Sequence, residues 1–284
     1  MANYQRSSIL CPNCGKLISR DEHQCPYCGT VRPGSWLKNN AWTRGWRNPN
    51  RAVNTIVLVN AAMYVLCILI NPGKIGVSLN PLTFLSPSGL ALELLGATGT
   101  IPINHFHRYW TLVSAGYLHG GILHIFFNMM ALWQLAPLVN REFGVYRMFI
   151  IYTLAGIVGY LVSYLAGVYW TIGASASVCG LVGAILYYGK SRGGVYGKAL
   201  YRQIAGWVVF LFVFGLIVPG INNWAHGGGI FTGIIIGYLL GYREKKKENL
   251  FHKIFAAACA ALTVAVLVWA VGTTIYYKWF EHLV

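Results

Sequence analysis

The chain has 284 residues, of which 56% are hydrophobic and only 10% charged, with 22 Lys and Arg against 7 Asp and Glu for a formal net charge of +15. An ordinary soluble domain carries roughly 25% charged residues, so a soluble enzyme, a disordered chain and a collagen-like chain are excluded, and a polytopic helical membrane protein is the expectation. All seven acidic residues, Asp21, Glu22, Glu93, Glu142, Glu244, Glu248 and Glu281, lie outside the apolar runs, which rules out chemistry by paired carboxylates inside a membrane.

The first motif in the chain is a pair of CPxCG turns, Cys11-Pro12-Asn13-Cys14-Gly15 and Cys25-Pro26-Tyr27-Cys28-Gly29. Four thiolates in two closely spaced pairs suit a tetrahedral Zn²⁺ with no open position, so the site is expected to be structural rather than catalytic. The segment has almost no apolar core of its own, so its folding would depend on the metal. A redox CxxC pair is the competing reading, and it would require an oxidising compartment for disulfides. Cys67, Cys179 and Cys259 fall in separate apolar runs and read as small buried residues.

Residues 30–52 are polar and basic. Trp36, Trp42 and Trp46 alternate with Lys38, Arg44, Arg47 and Arg51, which suits a segment at the lipid headgroup level, with a soluble partner surface as the alternative. No signal-peptide pattern precedes them, because the first 50 residues are polar and Cys-bearing.

Seven apolar runs follow: about Val53–Ile70, Leu118–Val139, Val145–Val168, Ser175–Tyr188, Ile204–Val218, Ala225–Leu240 and Ile254–Tyr276. A spanning helix needs about 20 residues. Runs four to six are shorter and rich in Gly, which suits packing against other helices rather than lipid. With a cytoplasmic N-terminus, loops 140–144, 189–203 and 241–253 fall inside, and each carries Lys or Arg. Loops 169–174 and 219–224 fall outside and carry none, as the positive-inside rule requires. The segment 71–117 also falls outside, with only Lys74 and Arg108. This loop pattern accounts for the positive charge, so no nucleic-acid partner is expected.

Ionisable groups within spans mark function by default. Run two holds His119, His124 and Asn128, run four opens on Gly173-Ala174-Ser175-Ala176-Ser177, and run six holds His226 near its start. His124 and Asn128, four apart, share a helix face. If run two is helical from Leu118, His119 faces elsewhere unless it is a loop or cap residue. Its five-residue spacing from His124 is poor for a metal, so no intramembrane metal site is expected. Ser175 and His226 sit at the outer starts of two runs at similar depth. Gly229, Gly233, Gly237 and Gly241 form one row at four-residue steps, and Ala176, Gly180 and Ala184 form another. Two such rows let backbones approach closely enough to bring imidazole to hydroxyl. A membrane serine also satisfies itself on a carbonyl of the preceding turn, so the functional reading depends on that approach. With no aspartate nearby, a Ser–His dyad is the most these residues allow. His124, Asn128 and the Ser175 backbone N–H would then supply oxyanion donors.

These residues resemble the rhomboid intramembrane serine proteases over about residues 53–242. The family's Gly-x-Ser-x motif reads Gly173-Ala174-Ser175-Ala176, and its Ala-His-x-Gly-Gly motif reads Ala225-His226-Gly227-Gly228-Gly229. Its His-x4-His-x3-Asn motif reads His119, His124 and Asn128, and its loop signature around an Arg reads Arg108-Tyr109-Trp110-Thr111. The resemblance implies an all-α polytopic membrane protein with a rhomboid-like six-helix core at 53–242. A basic loop and seventh helix at 243–284, a zinc-ribbon-like segment at 1–31 and the basic linker at 32–52 complete the organisation. It implies a Ser175–His226 dyad, His124 and Asn128 as oxyanion groups, no catalytic cofactor, and transmembrane proteins as substrates at an outward cavity. A bacterial plasma membrane is the expected setting, with the ribbon as a cytoplasmic regulatory or localising element. Three positions depart from the family pattern. Ala176 stands where Gly is common, and His105 replaces an acidic residue. Cys179 takes the place of an aromatic under the catalytic His, so that ring is either less firmly held or held by another aromatic such as Trp224. Two other readings compete: a catalytically silent rhomboid-like protein that binds or escorts membrane clients, and a membrane-tethered zinc ribbon for partner or nucleic-acid recognition.

Overall fold

Long apolar stretches leave backbone N–H and C=O groups no partner but one another, and in hydrocarbon the helix is the local solution. The computed structural model describes residues 8–12, 16–36, 49–76, 84–218 and 220–280. The chain divides into two compact units, Met1–Asn54 and Thr55–Val284.

In the first unit, strands β1 (Ser8–Leu10) and β2 (Leu17–Ser19) pair antiparallel, with Ile9 opposite Ile18. The two CPxCG turns close alike: Cys11 N donates to Lys16 O and Cys25 N donates to Thr30 O, each at 2.9 Å. Gly29, with φ +72°, takes the left-handed conformation that ends the second turn. The buried centre of this unit is Cys11, Ile18 and Cys25, with Ile9 and Cys28 against it. Of the linker expected at 32–52, Trp42 and Trp46 lie outside the described residues, and Trp36 is exposed.

Ten α-helices are described: α1 (Pro49–Ile70), α2 (Gly89–Leu94), α3 (Thr100–Phe106), α4 (Thr111–Ser114), α5 (Ile122–Glu142), α6 (Val145–Leu165), α7 (Ser175–Arg192), α8 (Gly194–Ile217), α9 (Asn223–Leu240) and α10 (Leu250–Phe280). Five of them, α1, α5, α6, α8 and α10, are long and apolar enough to cross a membrane. The helices in runs four and six, α7 and α9, have 18 residues each, and their glycines, serines and His226 dilute the apolar content. These two helices and α6 pack on one another at the centre of the second unit.

Run five differs from its expected form. Its helix α8 starts ten residues earlier, at Gly194, so the expected loop 189–203 is mostly helix with a bend at Gly193. Only Gly197, Leu200 and Ile204 of α8 are buried. Gly189 and Gly197 let its first turns approach α7, whereas Phe210, Phe212, Phe214 and Ile217 are exposed, as lipid-facing side chains would be.

The link between α9 and α10 is tied to the start of α6. Arg147 is fully buried; its guanidinium donates to Phe143 O at 3.1 Å and to Lys246 O and Lys247 O at 2.8 and 3.1 Å. The Glu248 carboxylate accepts from Tyr146 N (2.9 Å) and Arg147 N (3.1 Å), capping α6 at its positive end. Burial raises the Glu248 pKa, against the lowering effect of those N–H groups and of Arg243 and Arg147. At the other end of α10, the Lys278 ammonium donates to Ile70 O, the last carbonyl of α1, at 2.7 Å.

Candidate active site

The two small-residue rows meet rung by rung. A methyl built on Gly229 would fall 2.2 Å from Ala176 O, one on Gly233 1.9 Å from Gly180 O, and one on Gly237 3.4 Å from the Ala184 Cα. Only hydrogen fits at the first two positions, so the backbones of α7 and α9 touch there. The pairs advance by four residues in the same sense on both helices. The helices are therefore parallel, and their N-termini lie level. Ser175 is the first residue of α7, and His226 lies in the first turn of α9. The structure thus brings Ser175 and His226 to one end of one helix pair, both half-buried. Among the described residues no hydrogen bond joins them, and His226 Nδ1 is buried without a partner. In resting enzymes such bonds commonly form only with substrate in place.

The turn before Ser175 is held on three sides. Gly173 N donates to Ala115 O at 2.9 Å, and Gly173 O accepts from the Tyr160 hydroxyl. Two residues upstream, Thr171 and Thr98 exchange backbone hydrogen bonds at 2.7 and 3.1 Å. Gly173 has φ +124°, and a methyl built there would sit 2.7 Å from His124 Nε2 and 3.7 Å from Ser175 Oγ. The His124 ring nitrogen and the serine hydroxyl therefore lie around one point.

His124 Nδ1 accepts a hydrogen bond from Gly120 N at 3.3 Å. A neutral imidazole that accepts at Nδ1 carries its proton on Nε2, so the nitrogen nearest Gly173 is a donor. Asn128, on the same face of α5, donates through Nδ2 to His124 O at 2.9 Å. One N–H of that amide is thus engaged along the helix and one is left for another acceptor. His119 is not on α5, which begins at Ile122, so the helical angle does not apply to it. It is fully buried, and its ring meets that of His124 edge-on, with centroids 5.0 Å apart. The reading of His119 as a loop residue ahead of the helix holds, and the expectation that it faces away from His124 is corrected.

A cavity of about 500 Å³ opens beside these residues, lined by His124, Trp170, Thr171, Asn222 and Trp224 among others. Ser175, His226 and Asn128 do not line it. Trp224 is largely exposed, so it does not serve as the buried aromatic at His226. Asn222 was not singled out from the sequence. Its Oδ1 accepts from Ala225 N at 3.0 Å, capping α9, while its Nδ2 donates to Ser163 Oγ at 2.6 Å and Thr171 Oγ1 at 3.1 Å. An Asn just before an apolar run is a readable cap signal, but its two further partners come from distant parts of the chain. The loop signature at Arg108 closes on itself. Arg108 Nη1 donates to Glu93 O at 3.4 Å, and Thr111 Oγ1 donates to Arg108 O at 2.6 Å.

Residues 107–243 match the model of the rhomboid domain. The chain carries a rhomboid domain. It is 32% identical over 163 residues to RHOMBOID-like protein 1 of Arabidopsis thaliana, covering 55% of this chain and 40% of that protein. It is also 32% identical over 159 residues to Rhomboid protease GluP of Bacillus subtilis, covering 56% of this chain and 31% of that protein. With Putative rhomboid protease YdcA of the same bacterium it shares 28% identity over 142 residues, 49% of this chain and 71% of that protein. The matched stretch spans less than half the length of the first two relatives. Together with its five long apolar helices, the rhomboid domain makes this an integral multi-pass membrane protein of all-helical core.

In the first unit, the Sγ atoms of Cys11, Cys25 and Cys28 all lie within 4.8 Å of one another, and those of Cys11 and Cys28 are 3.6 Å apart. Sulfurs at about 2.3 Å from a tetrahedral zinc are separated by about 3.8 Å, so these three donors fit such an ion. Cys14, the fourth expected ligand, lies outside the described residues.

Proposed function

We propose that this protein is an intramembrane serine endopeptidase acting on transmembrane protein substrates through a Ser175–His226 dyad. The parallel pairing of α7 and α9, which levels the hydroxyl with the imidazole, is the observation that carries this reading. His226 takes the Ser175 proton as Oγ attacks the scissile carbonyl, and returns it to the leaving amine. The oxyanion then faces the His124 Nε2–H, the Asn128 amide and the Ser175 backbone N–H, which as the first residue of a helix has no intrahelical acceptor. Water, deprotonated by His226, cleaves the acyl-enzyme and restores the serine. Two relatives whose names contain the words rhomboid protease support this assignment.

The test is a side-by-side comparison of wild-type protein and Ser175→Ala in detergent. Wild type should take up a fluorophosphonate probe and cleave a model transmembrane substrate, and Ser175→Ala should do neither. Equal labelling of the two would favour the silent client-binding reading instead. The Lys and Arg bias of the loops supports a cytoplasmic N-terminus, and the proposed setting is a bacterial plasma membrane. The cysteine cluster, with Cys14 as the expected fourth ligand, would hold a structural zinc in a regulatory or localising segment and would supply no catalytic chemistry.

A further inference from the structure

We propose that Tyr160 is a positioning residue for the reaction: its buried hydroxyl holds the peptide carbonyl of Gly173 and thereby sets where Ser175 stands. The inference rests on the reading of Ser175 as the nucleophile.

Tyr160 lies on α6, away from every motif that marks the site in the sequence. It is 2% exposed and shares one buried cluster with Ala115, Ala176 and Ala225. Two of these neighbours are decisive, since Ala176 follows Ser175 and Ala225 precedes His226. The Tyr160 ring therefore shares one packed cluster with the residue next to each member of the dyad. The cluster members that α7 and α9 contribute, Ala176 and Ala225, are both small. The one large buried side chain of that cluster is the ring from α6.

The hydroxyl adds direction to that packing. It donates to Gly173 O, while Gly173 N is held by Ala115 O. The Gly173 residue is thus gripped at both its amide and its carbonyl. Its φ of +124° is open to glycine and strained for other residues, so the backbone has no side chain of its own to lock it. Loss of the hydroxyl would free the carbonyl end, and the residues that follow, Ala174 and Ser175, would no longer have one fixed approach to His226. A positional error of about 1 Å at a reacting group can cost up to about 100-fold in rate. Tyr160 does not line the cavity, so substrate affinity should be spared.

The experiment compares wild type, Tyr160→Phe and Ser175→Ala on one fluorogenic transmembrane substrate, with active-site titration by a fluorophosphonate and thermal unfolding in the same detergent. Tyr160→Phe keeps the ring and removes only the oxygen. We expect kcat per titrated site to fall at least about 10-fold, with KM within twofold, and with the same factor at every pH because the hydroxyl exchanges no proton in turnover. Wild-type kcat in Tyr160→Phe would overturn the inference while leaving the dyad intact. So would a fall that vanishes once rates are scaled to titrated sites, because the residue would then only maintain the fold. Ser175→Ala retaining full activity would instead overturn the nucleophile reading, and the Tyr160 assignment with it.

Discussion

Gly173 bears on the site more directly than any other glycine in the chain. Its backbone is left-handed, and a methyl on it would enter the contact distance of His124 Nε2. Gly173→Ala therefore combines a conformational strain of about 1–3 kcal/mol with displacement of His124, the proposed oxyanion donor. Fluorophosphonate labelling should drop at least about 100-fold, in the range seen when one oxyanion donor is removed, and labelling at the wild-type rate would refute this geometry. Not all of the residue-level picture was readable in advance. Ser175, His226, His124 and Asn128 stand out because each is a costly group in an apolar run. Tyr160 does not, since a tyrosine in a spanning helix is unremarkable until its partner is known. Asn222 shows one of its three hydrogen bonds as a local cap signal, and the other two reach Ser163 and Thr171, far away in sequence.

At the scale of elements, the contact between α7 and α9 decides the site. Its tightest rung is Gly233 against Gly180 O, with 1.9 Å for a built methyl. Gly233→Ala must push the helices apart, at a cost of the order of 1–3 kcal/mol for an overpacked core, and should separate Ser175 from His226. Gly272→Ala on α10 meets nothing within 4 Å and serves as the matched control. Exposed changes of that kind stay within about 0.5 kcal/mol. Thermal unfolding and probe labelling should show the first variant impaired in both and the second in neither; equal behaviour of the two would deny that this contact is close. The four-residue steps of small residues made the pairing foreseeable. Hydropathy marks only the densest apolar part of α8, from Ile204, whereas the helix itself starts at Gly194 and includes Lys198, Tyr201 and Arg202.

On the scale of the whole molecule, the two units have separate cores and separate requirements. The first has sulfur at its buried centre where a domain of its size would need apolar side chains, so its folding is expected to depend on a bound metal. Purified protein should hold about one zinc per chain, the stoichiometry of a single four-sulfur site, and Cys25→Ser should lose it. On the proposed function, cleavage by the purified Cys25→Ser protein should persist, because the second unit contains Ser175, His226 and its own packed helices. Zinc content unchanged by that substitution would rule out the site, and loss of cleavage with the helices still folded would give the ribbon a role in catalysis. Within the second unit, Arg147 and Glu248 bind the start of α6 to the chain after α9, an anchorage across about a hundred residues.

By itself the amino-acid order determined the membrane character, the thiolate pairs and the short list of groups able to act as nucleophile, base and donors. Those properties follow from composition and from spacing along one helix or turn, where the physics is local. Only the tertiary structure decided that His119 stands beside His124 and that Asn222 reaches Ser163 and Thr171. It also decided that the Gly173 carbonyl is met by a tyrosine from α6. Each of these joins residues whose separation in sequence carries no periodic signal, and each is set by which backbones can approach one another closely once the glycines are packed.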